Sequence, residues 1–292
     1  MDAAAGMLTH AFMQHAYLAG TTVAIAAGLV GYLLVLRAQV FTADALSHVA
    51  FTGALLALAL GFDARAGLFV VTVLVALGLG RLGSDPRTDD VVTGGVFAWV
   101  LGVGVLLLSI NTRIGDGAGV SVLFGSIFGI SASQAGATAV IATLVAVAIL
   151  SAARRLLYAS LDPEGAAAHG VPVRWLGYGL LAATGVTVAQ ASQVVGSLLI
   201  LGLLAAPAGA AARLTNRPLV GPALSAGLAV LCVWLGLAAS YAVPGLPPSF
   251  CILAFAVLAY CGAIAASAGA RLASTAGSSR CERNVRVLGS AR

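Results

Sequence analysis

Apolar residues run along this chain in blocks too long for the alternation of a half-buried strand. Stretches such as GLFVVTVLVALGLG and ATAVIATLVAVAILSAA approach the ~20 residues that carry a helix across a bilayer. Charged or turn-forming residues separate one block from the next. Read this way, the pattern predicts helices near 16–36, 44–61, 67–82, 91–110, 133–152, 175–191, 194–212, 219–240 and 249–268. One or two such blocks could fill a soluble core; eight or nine cannot. The expected fold class is all-α, a polytopic integral membrane helical bundle of about nine transmembrane helices. It forms a single transmembrane domain over residues 1–270, with its longest internal loop at 154–174. The segments 111–131 and 241–249 read as external connections. Residues 271–292 lack apolar periodicity and are expected to form a disordered cytoplasmic tail.

Composition agrees. Of 292 residues, 60% are apolar and 9% charged, against roughly 25% charged in soluble domains. No Arg or Lys precedes the first block, whereas a cleavable signal would carry a basic leading region; the first span is expected to be retained. The four cysteines form no CxxC, and three lie in apolar spans, where they act as small hydrophobes.

The 15 basic residues are all arginine. A phosphate-binding loop needs its lysine, so this chain cannot hydrolyse ATP through one; any ATP engine is another polypeptide. The net charge of +5 reads as positive-inside bias rather than nucleic-acid binding. With the N-terminus outside and the C-terminus cytoplasmic, only Arg65 and Arg113 lie outside. The other 13 arginines then fall in inner loops and the tail. A multi-pass protein of a prokaryotic cell (inner) membrane fits this distribution.

Two polar features stand out. In FTADALSHVAF, Asp44 and His48 are spaced i, i+4 and share a helix face. Asp44, Ser47, His48 and Thr52 fall within an arc of roughly 140°. Charged groups at membrane depth are costly and tend to serve a pathway, and a carboxylate with an imidazole can hold a transition metal. The competing reading places Asp44 in the first helical turn, complementing the macrodipole, with His48 hydrogen-bonded back to it. In LDPEGAAAHGVP, Asp162 suits an N-cap, Pro163 the first helical position and Glu164 the positive helix end. Gly170 suits the C-terminal stop. The enclosed helix of about seven residues is too short to span a membrane. It either braces its own bundle or docks on a partner.

Other motifs carry less. GDGAG lacks a lysine, His10 and His15 in HAFMQH are five apart, and neither HExxH nor GxSxG occurs. Gln190, Ser192 and Gln193 read as a loop between the sixth and seventh spans. Pro207 is expected to kink the seventh.

Four stretches together resemble the permease subunit of metal-ion ABC importers, the zinc/manganese/iron ABC-3 family. They are LVGYLLVLRAQVFTADALSHVAFTGALLA, TGGVFAWVLGVGVLLLS with LFGSIFGIS, LDPEGAAAHGVPV, and VVGSLLILGLLAAPAGAAARLT. The resemblance covers roughly residues 12–268. It implies a vitamin-B12-importer-like permease acting as a homodimer with two ATPase chains and an extracellular or periplasmic solute-binding protein. By position, Asp44 and His48 match the family's metal path, with Ser47 beside them, while Asp162, Pro163, Glu164 and Gly170 match its ATPase-coupling segment. Thr52 stands where the family usually has proline. The implied function is import of a divalent transition metal, Zn²⁺, Mn²⁺ or Fe²⁺, as cargo, with no stably bound cofactor and no catalysis by this chain. A permease of the same architecture for a siderophore-like solute, and an ion-coupled secondary transporter using Asp44 and His48 as a proton relay, are the alternatives.

Overall fold

A computed structural model describes the backbone of residues 11–82, 90–111, 125, 127–197, 200–243 and 245–289. Side chains are described to residue 268, apart from those of 90 and 111. Most of the 111–131 connection, GDGAG within it, His10, Arg87, Arg113 and the side chains of the tail arginines lie outside the described residues.

In chain order the helices are α1 (Ala11–Leu36), α2 (Val40–Ala59), α3 (Ala64–Leu82), α4 (Asp90–Asn111), α5 (Ala132–Leu161), α6 (Pro163–Ala168), α7 (Val173–Val194), α8 (Ile200–Leu214), α9 (Gly221–Ala242) and α10 (Pro248–Gly289). A 3₁₀ turn at Ile127–Gly129 precedes α5. Each of the nine predicted spans has its helix. Seven, α1 to α5 with α9 and α10, are long and apolar enough to cross a membrane. By the same measure α7 is too polar despite its 22 residues, and α8, at 15 residues, is too short.

The bundle is built around α1, which packs against α5, α7, α8 and α9. Helix α2 lies against α3, α4 and α7. Within their most apolar stretches α1 and α2 are each 72% buried, against 22% for α3 and α4, so the pair carrying the polar motif is central. Close approach depends on small residues. Gly53 on α2 faces Gly67 on α3, where an added Cβ on Gly53 would sit 2.8 Å from the Gly67 carbonyl oxygen.

Helix ends differ from the sequence reading in instructive ways. Helix α1 stops at a turn in which the Gln39 N–H donates to Leu34 O (2.9 Å) and the Ala38 N–H to Val35 O (3.2 Å). This is a Schellman closure with Ala38, φ +55°, where glycine usually sits. Because α2 then starts at Val40, Asp44 lies a full turn inside it. Helix α5 starts with a capping box between Ser131 and Gln134 and runs to Leu161, about nine residues past the expected span end. The first part of the 154–174 loop is therefore a helical extension bearing exposed Arg154 and Arg155.

Gln190, Ser192 and Gln193, expected in a loop, lie inside α7, with Gln190 and Ser192 buried. The helix ends instead at Val194, and Gly196 (φ +99°) and Ser197 sit buried in the break before α8. Pro207 stands in the middle of α8 without ending it. Helix α10 runs on to Gly289 through residues expected to lack regular structure; the segment after 268 contains no proline to stop it.

Candidate functional site

Asp44 and His48 occupy one face of α2 and are both half-buried, whereas Ser47 between them is fully buried. The Ser47 hydroxyl donates to the Asp44 carbonyl at 2.7 Å, so its proton is spent on the helix backbone. No hydrogen bond joins the Asp44 and His48 side chains among the described residues. Helix α2 has no acid in its first turn, and the macrodipole acts mainly there. Neither half of the competing reading therefore accounts for the pair. The structure brings Asp44 and His48 together and leaves Ser47 on the packed side.

Helix α4 closes over this face. The Phe97 ring stands edge-on to the His48 imidazole, with centroids 5.1 Å apart, and makes a similar contact with Phe41. One turn further along α2, the Thr52 hydroxyl donates to the Val100 carbonyl of α4 at 3.2 Å. Thr52 thus ties α2 to α4, and α2 runs unbroken through this position. Phe97 and Val100 carry no signal in their own sequence that could have assigned them to this face. Among the described residues no group of three or more His, Cys, Asp or Glu side chains could hold a metal. One chain places a single carboxylate and a single imidazole on this face.

A separate cavity of 250 Å³ lies between α2, α3, α5 and α7, lined by Ala54, Arg65, Leu68, Thr138, Ser192 and Gln193 among others. Ala54 is ten residues beyond Asp44, about 15 Å along the helix, so the cavity and the Asp44–His48 face lie at different depths. A larger groove of 520 Å³ between α1 and α9, around Ile25, Leu224 and Trp234, is apolar and holds no titratable side chain.

The second predicted feature is ordered at the turn between α5 and α7. The Asp162 carboxylate accepts from the Gly165 N–H at 2.9 Å, Pro163 opens α6, and Glu164 lies in its first turn. Gly170 takes φ +76° in a second Schellman closure, with the Val171 N–H donating to Ala166 O and the Gly170 N–H to Ala167 O. Ala166 is fully buried, while Glu164, Ala167 and Ala168 are exposed. His169 Nδ1 lies 2.8 Å from the Gly165 carbonyl and 3.1 Å from the Tyr158 hydroxyl. These contacts link the ring, and with it the end of α6, to the last turns of α5.

A family model for the ABC 3 transport family matches residues 9–267. The chain belongs to that family. Its relatives include the manganese transport system membrane protein MntC of Listeria innocua, 30% identical over 73% of this chain and 75% of that one. Another is the chelated iron transport system membrane protein YfeD of Yersinia pestis, 32% identical over 67% of this chain and 66% of that one. Among solved structures, PsaBC from Streptococcus pneumoniae in complex with Fab superposes with a TM-score of 0.77 at 26% identity, covering 90% of this chain and 95% of that one. This ABC 3 protein is a multi-pass membrane transport permease.

Proposed function

We propose that this permease carries a divalent transition metal into the cytoplasm as the membrane subunit of an ATP-driven importer, with manganese or iron as its cargo. The observation that carries the reading is the Asp44–His48 face. A hard carboxylate oxygen and an imidazole stand one turn apart on a central helix, in a chain whose relatives are named for manganese and chelated iron. Zn²⁺ shares this ligand preference. Two ligands make an incomplete shell, and a second copy of the chain about a two-fold axis would supply another pair. We therefore assign a homodimer, two ATPase chains docked on α6, and an external solute-binding protein that delivers the ion. The lack of lysine supports a separate ATPase.

The deciding experiment is uptake into vesicles holding this chain with its ATPase. Mn²⁺ or Fe²⁺ accumulation that requires ATP is expected. Accumulation driven by a proton gradient without ATP would replace this reading with the secondary transporter. Accumulation of a metal chelate but not of the free ion would replace it with the siderophore-type permease.

The arginine distribution supports an orientation with α6 inside and the α9–α10 turn outside. With the native cysteines changed to alanine, Leu246→Cys should react with an impermeant thiol reagent in intact cells. Ala167→Cys should react only after the membrane is opened. The reverse pattern would invert the orientation and remove α6 from reach of any cytoplasmic ATPase.

A further inference from the structure

Arg37 lies in the short turn between α1 and α2, seven residues before Asp44, and is half-buried. Its Nε–H donates to Ser160 Oγ at 2.8 Å across a separation of 123 residues. Ser160 sits in the last turn of α5, two residues before the Asp162 cap of α6, and its own hydroxyl donates to the Leu156 carbonyl at 2.6 Å. The serine oxygen is therefore held in place and accepts from the arginine through a lone pair. On the other flank, Nη1 lies against Gly177 in the second turn of α7; a Cβ there would meet it at 3.9 Å. The arginine thus lies between the end of α5 and the start of α7. Burial pushes its guanidinium down from the usual arginine range, yet an arginine keeps its charge. Nη2 is buried without a hydrogen-bond partner among the described residues.

An arginine that spends one donor on a neutral hydroxyl and leaves another unspent is a poor choice for stability alone. Its position has another property. On the far side of the same last turn of α5, Tyr158 holds His169 at the end of α6. A continuous path then runs from α6 through His169, Tyr158 and the α5 terminus to Ser160 and Arg37. It ends in the turn that starts α2, where Ala38 is held in the left-handed region. Helix α2 carries Asp44 and His48.

We infer that Arg37 is a positioning residue that transmits movement of α6 to α2 through its bond to Ser160, so that work done on the short helix reaches the metal-path helix. This inference rests on the proposed function, since it requires α6 to be the element on which the ATPase acts. The test therefore reads the coupling itself.

The measurement is the number of ATP molecules hydrolysed per Mn²⁺ imported by the assembled complex in vesicles, with wild type in parallel. Arg37→Ala and Ser160→Ala should each raise that ratio by at least about three-fold. Ser160→Thr, which keeps the hydroxyl, should stay near wild type. The double variant should be no worse than the poorer single variant, because both remove the same link. If Arg37→Ala does not assemble, the Ser160 pair decides the question alone. Unchanged ratios in assembled Ser160→Ala complexes would overturn the inference, as would single-variant effects that multiply in the double variant. Failure of the wild-type complex to couple ATP to Mn²⁺ uptake would instead overturn the proposed function.

Discussion

Replacing Asp44 with Asn, or His48 with Ala, should abolish Mn²⁺ uptake while the complex still assembles with its ATPase. On the proposed path the ion sheds water to cross the bilayer, and the α2 face would offer it a carboxylate oxygen and an imidazole nitrogen. Asparagine keeps the size of the aspartate but removes the charge. Alanine removes the nitrogen and the ring that meets Phe97. Loss of a supporting group costs a metal site roughly 10- to 100-fold, and loss of a direct ligand should cost at least as much. Both side chains are half-buried and make no hydrogen bond to each other, so neither substitution strips a partner from a buried group. Uptake of radioactive manganese and co-purification of the ATPase are measured on the same preparations. Wild-type uptake in both variants would reduce the pair to a polar patch beside α4.

The second large effect is expected at the short helix. Six residues cannot sustain a helix in water unaided, so α6 depends on its caps. Asp162→Ala removes the acceptor for the Gly165 N–H, a loss of about 1 kcal/mol for a typical N-cap. Glu164→Ala removes an acid from the first turn, about 0.3–1 kcal/mol. Together these amount to roughly a ten-fold loss of the formed helix. Membrane insertion should be unchanged, because α5 and α7 hold the bundle on either side. ATPase recovered with the permease, or ATP hydrolysis stimulated by transport, should fall by a similar factor. If neither moves, α6 is a brace for its own loop.

The parts of this molecule legible in the sequence are those whose physics is local. Nine apolar blocks produce nine helices because each block must bury its backbone polar groups within itself. The Asp44–His48 face was readable because residues four apart meet on any helix, and the caps of α6 because their chemistry spans only a few residues. The end of α1 was not readable: Ala38 closes it in a conformation that usually advertises itself through glycine. The start of α2, and hence the depth of Asp44 within it, was displaced with it. Polarity alone puts Gln190 and Ser192 in a loop, but packing among α2, α5 and α7 overrides polarity for a helix enclosed by protein. Nothing local pairs Arg37 with Ser160 or His48 with Phe97. Such contacts are set by how the helices cross.

The break between α7 and α8 bears on how the chain enters the membrane at all. A segment handed to lipid one at a time must be apolar enough to partition on its own. By that standard α7 is too polar and α8 too short. Threonine, serine and glutamine side chains that are enclosed in the finished bundle would, at that moment, face hydrocarbon. These two helices are therefore poorly suited to sideways release as they leave the insertion machinery. They would have to wait beside α1, α2 and α5, already in place, or be held until α9 follows. The order of synthesis suits this: the helices that shelter α7 precede it, while α9 and α10, which pack on α8, come directly after. Insertion of α7 and α8 is then expected to depend on the helices made before and after them, so that assembly and insertion would proceed together.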